Sequence, residues 1–367
     1  MYQLAHVGAF TLSNYGDQLY PSLLDAFLAR EHIESSVTRY AVAPGRLSDG
    51  QVVHDLRRVR HDRVDAVFVG GGDLIRCDRY TVALDHLEVS SAERRSVNAR
   101  VRARLFAAKY LRDGSGPWLP RAGWGAPTAW ISVGVHALPS SLEAGALTSI
   151  RTAWLRTYVG RERLIAAGMD GARCHVAPDA AFALAELIEV ESYRRRGREL
   201  LASATGSSDG VVVLQVAGFH GWRVGRLRRL VGSFGKVPVA LLPLGRYAGE
   251  HELLREAAAG GDAAFLGLLP VNDVTAILAA AGCVVTTSMH AAFVASTLGR
   301  PVIVPSVEKT ATALLACPEP PRILSMEDGE IAKAASELRA SDSLMPSAEN
   351  AAAVFQVFHR VAEQVFG

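Results

Sequence analysis

Four short stretches carry residue types that could do chemistry, and each follows an apolar run of strand length. In the C-terminal part, Cys283–Thr286 runs into Thr287, Ser288, Met289 and His290. A histidine at a strand–helix junction can have its protonation state tuned and serve as acid or base. The hydroxyls of Thr286, Thr287 and Ser288 sit where the first N–H groups of the helix and its positive dipole end would meet an anion. A core histidine bonded to a carbonyl fits the same pattern. Glu308-Lys309 follows the next strand and places a cation on the same edge.

The other three stretches lie in the N-terminal part. Ser13-Asn14-Tyr15-Gly16-Asp17 opens a helix after the first strand; Asn14 and Asp17 are natural caps, and Gly16 is free to take positive φ. Val69-Gly70-Gly71-Gly72-Asp73-Leu74, with Arg76 just beyond, leaves a bare backbone that an anion or a sugar could approach. It is neither GxGxxG nor GK[ST], so the nucleotide fingerprints are absent. Val176-Ala177-Pro178-Asp179 ends another strand in a carboxylate. Taken singly, each also reads as an ordinary cap, turn or close crossing.

Elements able to position these loops follow from the alternation of short apolar runs with amphipathic ones, the rhythm of βαβ units and a parallel sheet. Strands are expected at Tyr2–Gly8, Val37–Val42, Val64–Val69 and Ala129–Gly134, with helices at Asp17–Glu31 and Ala92–Arg112. Ala202–Gly210, small and polar, is the best linker. After it the rhythm restarts with strands Val211–Val216, Val237–Leu242, Ala264–Leu268, Cys283–Thr286 and Val302–Val304. The helices between them are Glu250–Ala258, Asp273–Ala281 and Ala291–Leu298. The expected α/β architecture is two Rossmann-like domains, residues 1–205 and 206–347, with a last helix at 348–367 packing back on the first. Such halves bind ligands in the cleft beyond the carboxyl ends of their strands.

The chain has 367 residues, 49% hydrophobic and 21% charged, with a net charge of +2. That is ample for two cores and asks for no nucleic acid; a small anion bound locally is still compatible with it. Cys77, Cys174, Cys283 and Cys317 show no CxxC or metal spacing, which favours a reduced, cytoplasmic protein with no metal. The N-terminal YQLAHVGAF reads as a strand, not a signal peptide, and no apolar run reaches membrane-spanning length.

Taken in order, the pieces resemble the polysaccharide pyruvyltransferase family over about Ala5 to Leu315. They are NYGD (Asn14–Asp17), DAVFVGGGDLIR (Asp65–Arg76), an R…G…L…G helix (Arg156, Gly160, Leu164, Gly168), APDAAF (Ala177–Phe182), the block around VVTTSMHAAFVA within Asp273–Val304, and Lys309. The resemblance implies a GT-B-like arrangement and transfer of pyruvyl from phosphoenolpyruvate, the co-substrate, onto two hydroxyls of a sugar or glycan, giving a cyclic ketal. No other cofactor is implied. His290 stands where the family's motif has its histidine, and with Asp17 it makes the candidate catalytic pair. Many members have Arg-Leu-His where this chain has Ser288-Met289-His290, and Thr157 replaces a usual acidic neighbour of Arg156. Donor charge is therefore sought at Arg156, Arg246 or Lys309, or at Arg76, beside Thr287 and Ser288. The acceptor or cleft loops are Asn14, Tyr15, Gly16, Gly70, Gly71, Gly72, Asp73, Arg76 and Asp179. The Gly114–Trp124 loop, with His220 and Trp222, offers aromatic faces to a sugar. A GT-B-like transferase with another donor, using Glu250 or Glu252 to hold a ribose, and a silent glycan-binding relative are the alternatives.

Overall fold

The structure, a computed structural model, describes residues 1–75, 79–89, 93–111, 118–119, 124–136, 138, 144–217, 221–246, 249–305, 308–321, 323–325, 328–339 and 348–367. The N-terminal strands are β1 (Tyr2–Val7), β2 (Ser35–Ala41), β3 (Gly45–Arg46), β4 (Val52–Asp55), β5 (Ala66–Ile75), β6 (Thr128–Val135), β7 (Ile150–Leu155) and β8 (Cys174–Val176). They form one sheet in the order β3-β4-β2-β1-β5-β6-β7-β8, parallel except for the β3–β4 edge pair. The C-terminal strands are β9 (Val212–Gln215), β10 (Val239–Leu241), β11 (Ala264–Phe265), β12 (Cys283–Thr286), β13 (Val302–Val304) and β14 (Ile323–Ser325). They form a parallel sheet in the order β11-β10-β9-β12-β13-β14. Near-continuous apolar runs such as VVLQ and CVVT are what a parallel strand covered on both faces requires, and both are buried throughout.

Each sheet winds one way and then the other from an inner pair, β1/β5 in the first and β9/β12 in the second. Those pairs are topological switch points, where the loops beyond the strand ends diverge and open a crevice. Of the four stretches singled out in the sequence, Ser13–Asp17 lies beyond β1, Val69–Leu74 within the C-terminal part of β5 and Thr287–His290 beyond β12, whereas Asp179 lies beyond β8.

Strand β5 departs from expectation. It continues through Gly70–Gly72 to Ile75, pairing Gly70 with Ile131 and Gly72 with Val133, where the sequence predicts an end at Val69. Helix Val190–Thr205 packs on helix Val271–Ala280, with a Cβ on Gly197 only 2.0 Å from the Ala276 carbonyl oxygen. The change of layer thus precedes the Ala202–Gly210 linker. The last helix, Ala348–Phe366, returns to the first sheet, where Phe358 stacks on Phe27 at 4.7 Å. One apolar core joins the halves through Phe182 and Phe293, also 4.7 Å apart.

Candidate active site

The halves meet at a two-sided backbone bridge. The Tyr15 N–H donates to the Leu244 carbonyl at 2.8 Å and the Arg246 N–H to the Ser13 carbonyl at 3.1 Å. A Cβ on Gly245 would sit 1.7 Å from that Ser13 oxygen, so this approach needs glycine. Beside the bridge lies a cavity of about 460 Å³. Its first wall comes from the N-terminal half, including Asn14, Asp17, Asp73, Trp118 and His136. Its second comes from Gln215, Ala217, Leu244, Glu250, Thr287, Ser288 and His290.

Beneath the cavity a buried polar network ties His290 to the first half. The His290 Nε2 lies 3.0 Å from Arg156 Nη1 and 3.1 Å from the Tyr20 hydroxyl. Tyr20 donates to both Asp179 oxygens, at 2.8 and 3.0 Å, and Arg156 donates to Asp179 at 2.9 Å and to Asp73. Asp73 also pairs with His136 Nε2 at 3.0 Å. Nε2 of His290 thus faces a guanidinium that can only donate, the Tyr20 hydroxyl and, at 3.7 Å, the Asp179 carboxylate, while Nδ1 packs beside Gly16.

The electrostatics follow from burial. Burial alone would push the Asp179 carboxyl up, but the bond from His290, the Arg156 charge and the Ala181 N–H hold it well below the ordinary carboxylate range. Burial likewise opposes the Arg156 charge, yet Asp73, Tyr20 and Asp179 raise its pKa further. Burial and the Asp179 charge push the Tyr20 hydroxyl well above its usual value.

The glycines serve this packing. A Cβ on Gly16 would meet His290 Nδ1 at 2.1 Å, one on Gly71 the Tyr20 ring at 2.0 Å, and one on Gly72 the Asp17 carboxylate at 2.4 Å. Gly70 faces the Ile131 carbonyl in the same way, at 2.2 Å. The run expected to lie bare for an anion is therefore packed against the Tyr20 and Asp17 side chains and the Ile131 carbonyl.

On the second wall, the Gln215 side-chain oxygen accepts from the Thr286 hydroxyl at 2.5 Å and from the Thr287 and Ser288 N–H groups at 3.1 Å. The Thr287 hydroxyl takes the Ala217 N–H, and Ser288 caps helix Met289–Thr297 through Ala291. Glu250 accepts from the Leu244 N–H at 2.5 Å. Burial pushes its carboxyl up to about 8, against the Leu244 and Gln215 bonds.

Of the predicted residues, Asn14, Asp17, Asp73, Thr287, Ser288 and His290 line one cavity, and Asn14 bonds Asp17 at 2.6 Å. Tyr15 instead crosses to Thr275 at 2.9 Å, and Asp179 lies under the cavity floor. Arg156, expected among the donor-binding cations, is 2% exposed and spent on two carboxylates. Arg246 stands at the rim, 47% exposed, with Glu88 and Glu252 at 4.0 and 3.8 Å. Arg76, His220 and most of the Gly114–Trp124 loop fall outside the described residues, as does the Lys309 side chain. Within that loop Trp118 reaches the cavity, whereas Trp222 packs in the second core. Sequence reasoning missed Tyr20, His136 and Gln215. Only His136 left a trace, as a histidine two positions beyond the predicted strand Ala129–Gly134. Among the described lining residues are five carboxylates (Asp17, Asp73, Asp85, Glu88, Glu250) and no lysine or arginine.

The profile of the polysaccharide pyruvyl transferase family matches residues 14–307, which takes in the cavity residues from Asn14 to His290. The chain belongs to this family. Among curated proteins no sequence matches it. In fold it is similar to UDP-GlcNAc 2-epimerase from Methanocaldococcus jannaschii, with 10% identity over 99% of this chain and 100% of that one and a TM-score of 0.58. It is also similar to a UDP-N-acetylglucosamine 2-epimerase described as putative from Listeria monocytogenes, with 12% identity, 98% and 97% coverage and a TM-score of 0.54. A third likeness is the Neisseria meningitidis UDP-GlcNAc 2-epimerase bound to UDP-GlcNAc, with 10% identity, 99% and 100% coverage and a TM-score of 0.52. At such identities the likeness shows the fold, two Rossmann-like domains in a GT-B-like arrangement. No helix among the described residues is long and apolar enough to cross a membrane.

Proposed function

We propose that the protein transfers pyruvyl from phosphoenolpyruvate to two hydroxyls of a sugar or glycan, forming a ketal at the cleft between the sheets. The observation that carries this reading is His290, held through Nε2 by Arg156 and Tyr20 while its ring lines the cavity. A ring held in place suits protonation of the donor's methylene carbon by its imidazolium form, which returns to the neutral imidazole in the step that makes C2 electrophilic. One acceptor hydroxyl then bonds to C2, and the C2–O bond to phosphate breaks with its electron pair leaving on phosphate. The second hydroxyl closes the ring. Of the two hydroxyl protons, one replaces that given to the methyl group and the other leaves with phosphate, so donor and diol become ketal and phosphate. Donor charge would meet the N-terminus of helix Met289–Thr297 and, at the rim, Arg246.

A second reading has a specific observation behind it. The five lining carboxylates suit a hydroxyl-rich ligand better than a multiply charged donor, and Glu250 stands where it could accept from a ribose diol. A thermal-shift titration with phosphoenolpyruvate and with UDP-N-acetylglucosamine separates the two. Stabilisation by phosphoenolpyruvate is expected; stabilisation by the nucleotide sugar alone overturns the donor assignment in favour of a transferase with another donor.

A further inference from the structure

A proton donor for the methylene carbon leaves half of ketal formation without a partner, because the attacking hydroxyl must lose a proton as it bonds to C2. The cavity holds a second histidine on the opposite, N-terminal wall. His136 follows β6, its side chain is 45% exposed, and its Nε2 lies 3.0 Å from Asp73 Oδ1. Asp73 is itself fixed from behind by Arg156, and both pack against Gly134, where a Cβ would sit 2.2 Å from the carboxylate and 2.5 Å from the guanidinium. The two histidines are thus the ends of one chain of contacts, His136–Asp73–Arg156–His290, that crosses from one half to the other.

We infer that His136 is the general base that takes the proton from the acceptor hydroxyl, with Asp73 as its positioning residue. The inference rests on the transferase reading above. A carboxylate on one imidazole nitrogen holds an N–H there and leaves the other nitrogen to accept a proton. The surroundings fit an acceptor. Trp118, Leu74 and Val82 line the same wall with apolar surface, while His290 lines the other half. A surface ion pair alone would explain the His136–Asp73 contact but not its place inside the cavity at the end of the network that holds His290. Among the described residues, the charged groups around His136 are Asp73, Arg156 behind it, and Arg163, whose guanidinium bonds the His136 carbonyl oxygen.

The test measures phosphate release and ketal formation from phosphoenolpyruvate with methyl glycosides of glucose, galactose and N-acetylglucosamine, for wild type, His136→Ala and His136→Gln. Glutamine keeps a hydrogen bond to Asp73 but accepts no proton on a ring nitrogen. Both variants should lose roughly 100- to 10,000-fold in kcat, the usual worth of a general base. KM for phosphoenolpyruvate should hold within about threefold, and imidazole should partly restore His136→Ala. Turnover by His136→Gln near wild type, or a loss confined to KM, would overturn the assignment. A wild-type protein that consumes no phosphoenolpyruvate removes the transferase reading and this inference together, and is seen before any variant is made.

Discussion

Arg156 spends its charge inside the protein. With 2% of its surface exposed and Asp73 and Asp179 on its two nitrogens, it ties both carboxylates to His290. Removing one partner of such a pair leaves the other charge buried and uncompensated, a cost of about 3–5 kcal/mol. Arg156→Met should lower the denaturant midpoint accordingly. Asp179 gives the network an acid limit. Its carboxyl is held below the unfolded value, so its stabilisation is present above about pH 4 and is lost as the pH falls towards the folded value. Asp179→Asn should flatten that limb of the melting-temperature profile. Glu250 has the opposite sign. Its carboxyl is raised from 4.5 to about 8, so the folded state binds the extra proton, and the wild type loses stability relative to Glu250→Gln as the pH rises from about 5 through 8. Parallel melting curves for the two proteins across that range would contradict this.

At the scale of elements, the glycine run of β5 is a packing device. Gly71→Ala would drive the Tyr20 ring off a contact at 2.0 Å, and with it the bonds to Asp179 and His290. Overpacking of this kind costs typically 1–3 kcal/mol, so the variant should melt lower and lose activity together. Gly232 is the contrast. It sits in helix Val224–Ser233 with nothing within 4 Å of an added Cβ, and Gly232→Ala should stabilise by up to about 1 kcal/mol in denaturant unfolding. The strands were legible because parallel strands are continuous apolar runs, and Cys283–Thr286 and Val302–Val304 fall where the periodicity puts them. The extension of β5 through its glycines was not, because glycine weakens every local strand signal and only pairing with β6 carries the strand onward. Tyr20 was illegible for a related reason. It lies in an apolar stripe of helix Tyr15–Arg30, indistinguishable from core until Asp179, 159 positions away, meets its hydroxyl.

At the scale of the molecule, the strand-end rule brought together residues that line one cavity, Asp17 beyond β1, Thr287 and His290 beyond β12, and Asp73 near the end of β5. What it could not assign was charge. Whether an arginine faces solvent or is spent on carboxylates depends on partners 23 and 83 positions distant, and this placed Arg156 among the donor-binding candidates. The backbone bridge between the halves was likewise unreadable, for its hydrogen bonds join main-chain atoms of Ser13, Tyr15, Leu244 and Arg246. The central claim, that His290 handles the proton in pyruvyl transfer at this cleft, is tested most directly by one measurement. Phosphate release from phosphoenolpyruvate with a hydroxyl acceptor is compared between wild type and His290→Gln of matched melting temperature. A loss of roughly 100-fold or more in kcat, with phosphoenolpyruvate still bound, is the predicted result; equal rates in the two proteins would contradict it.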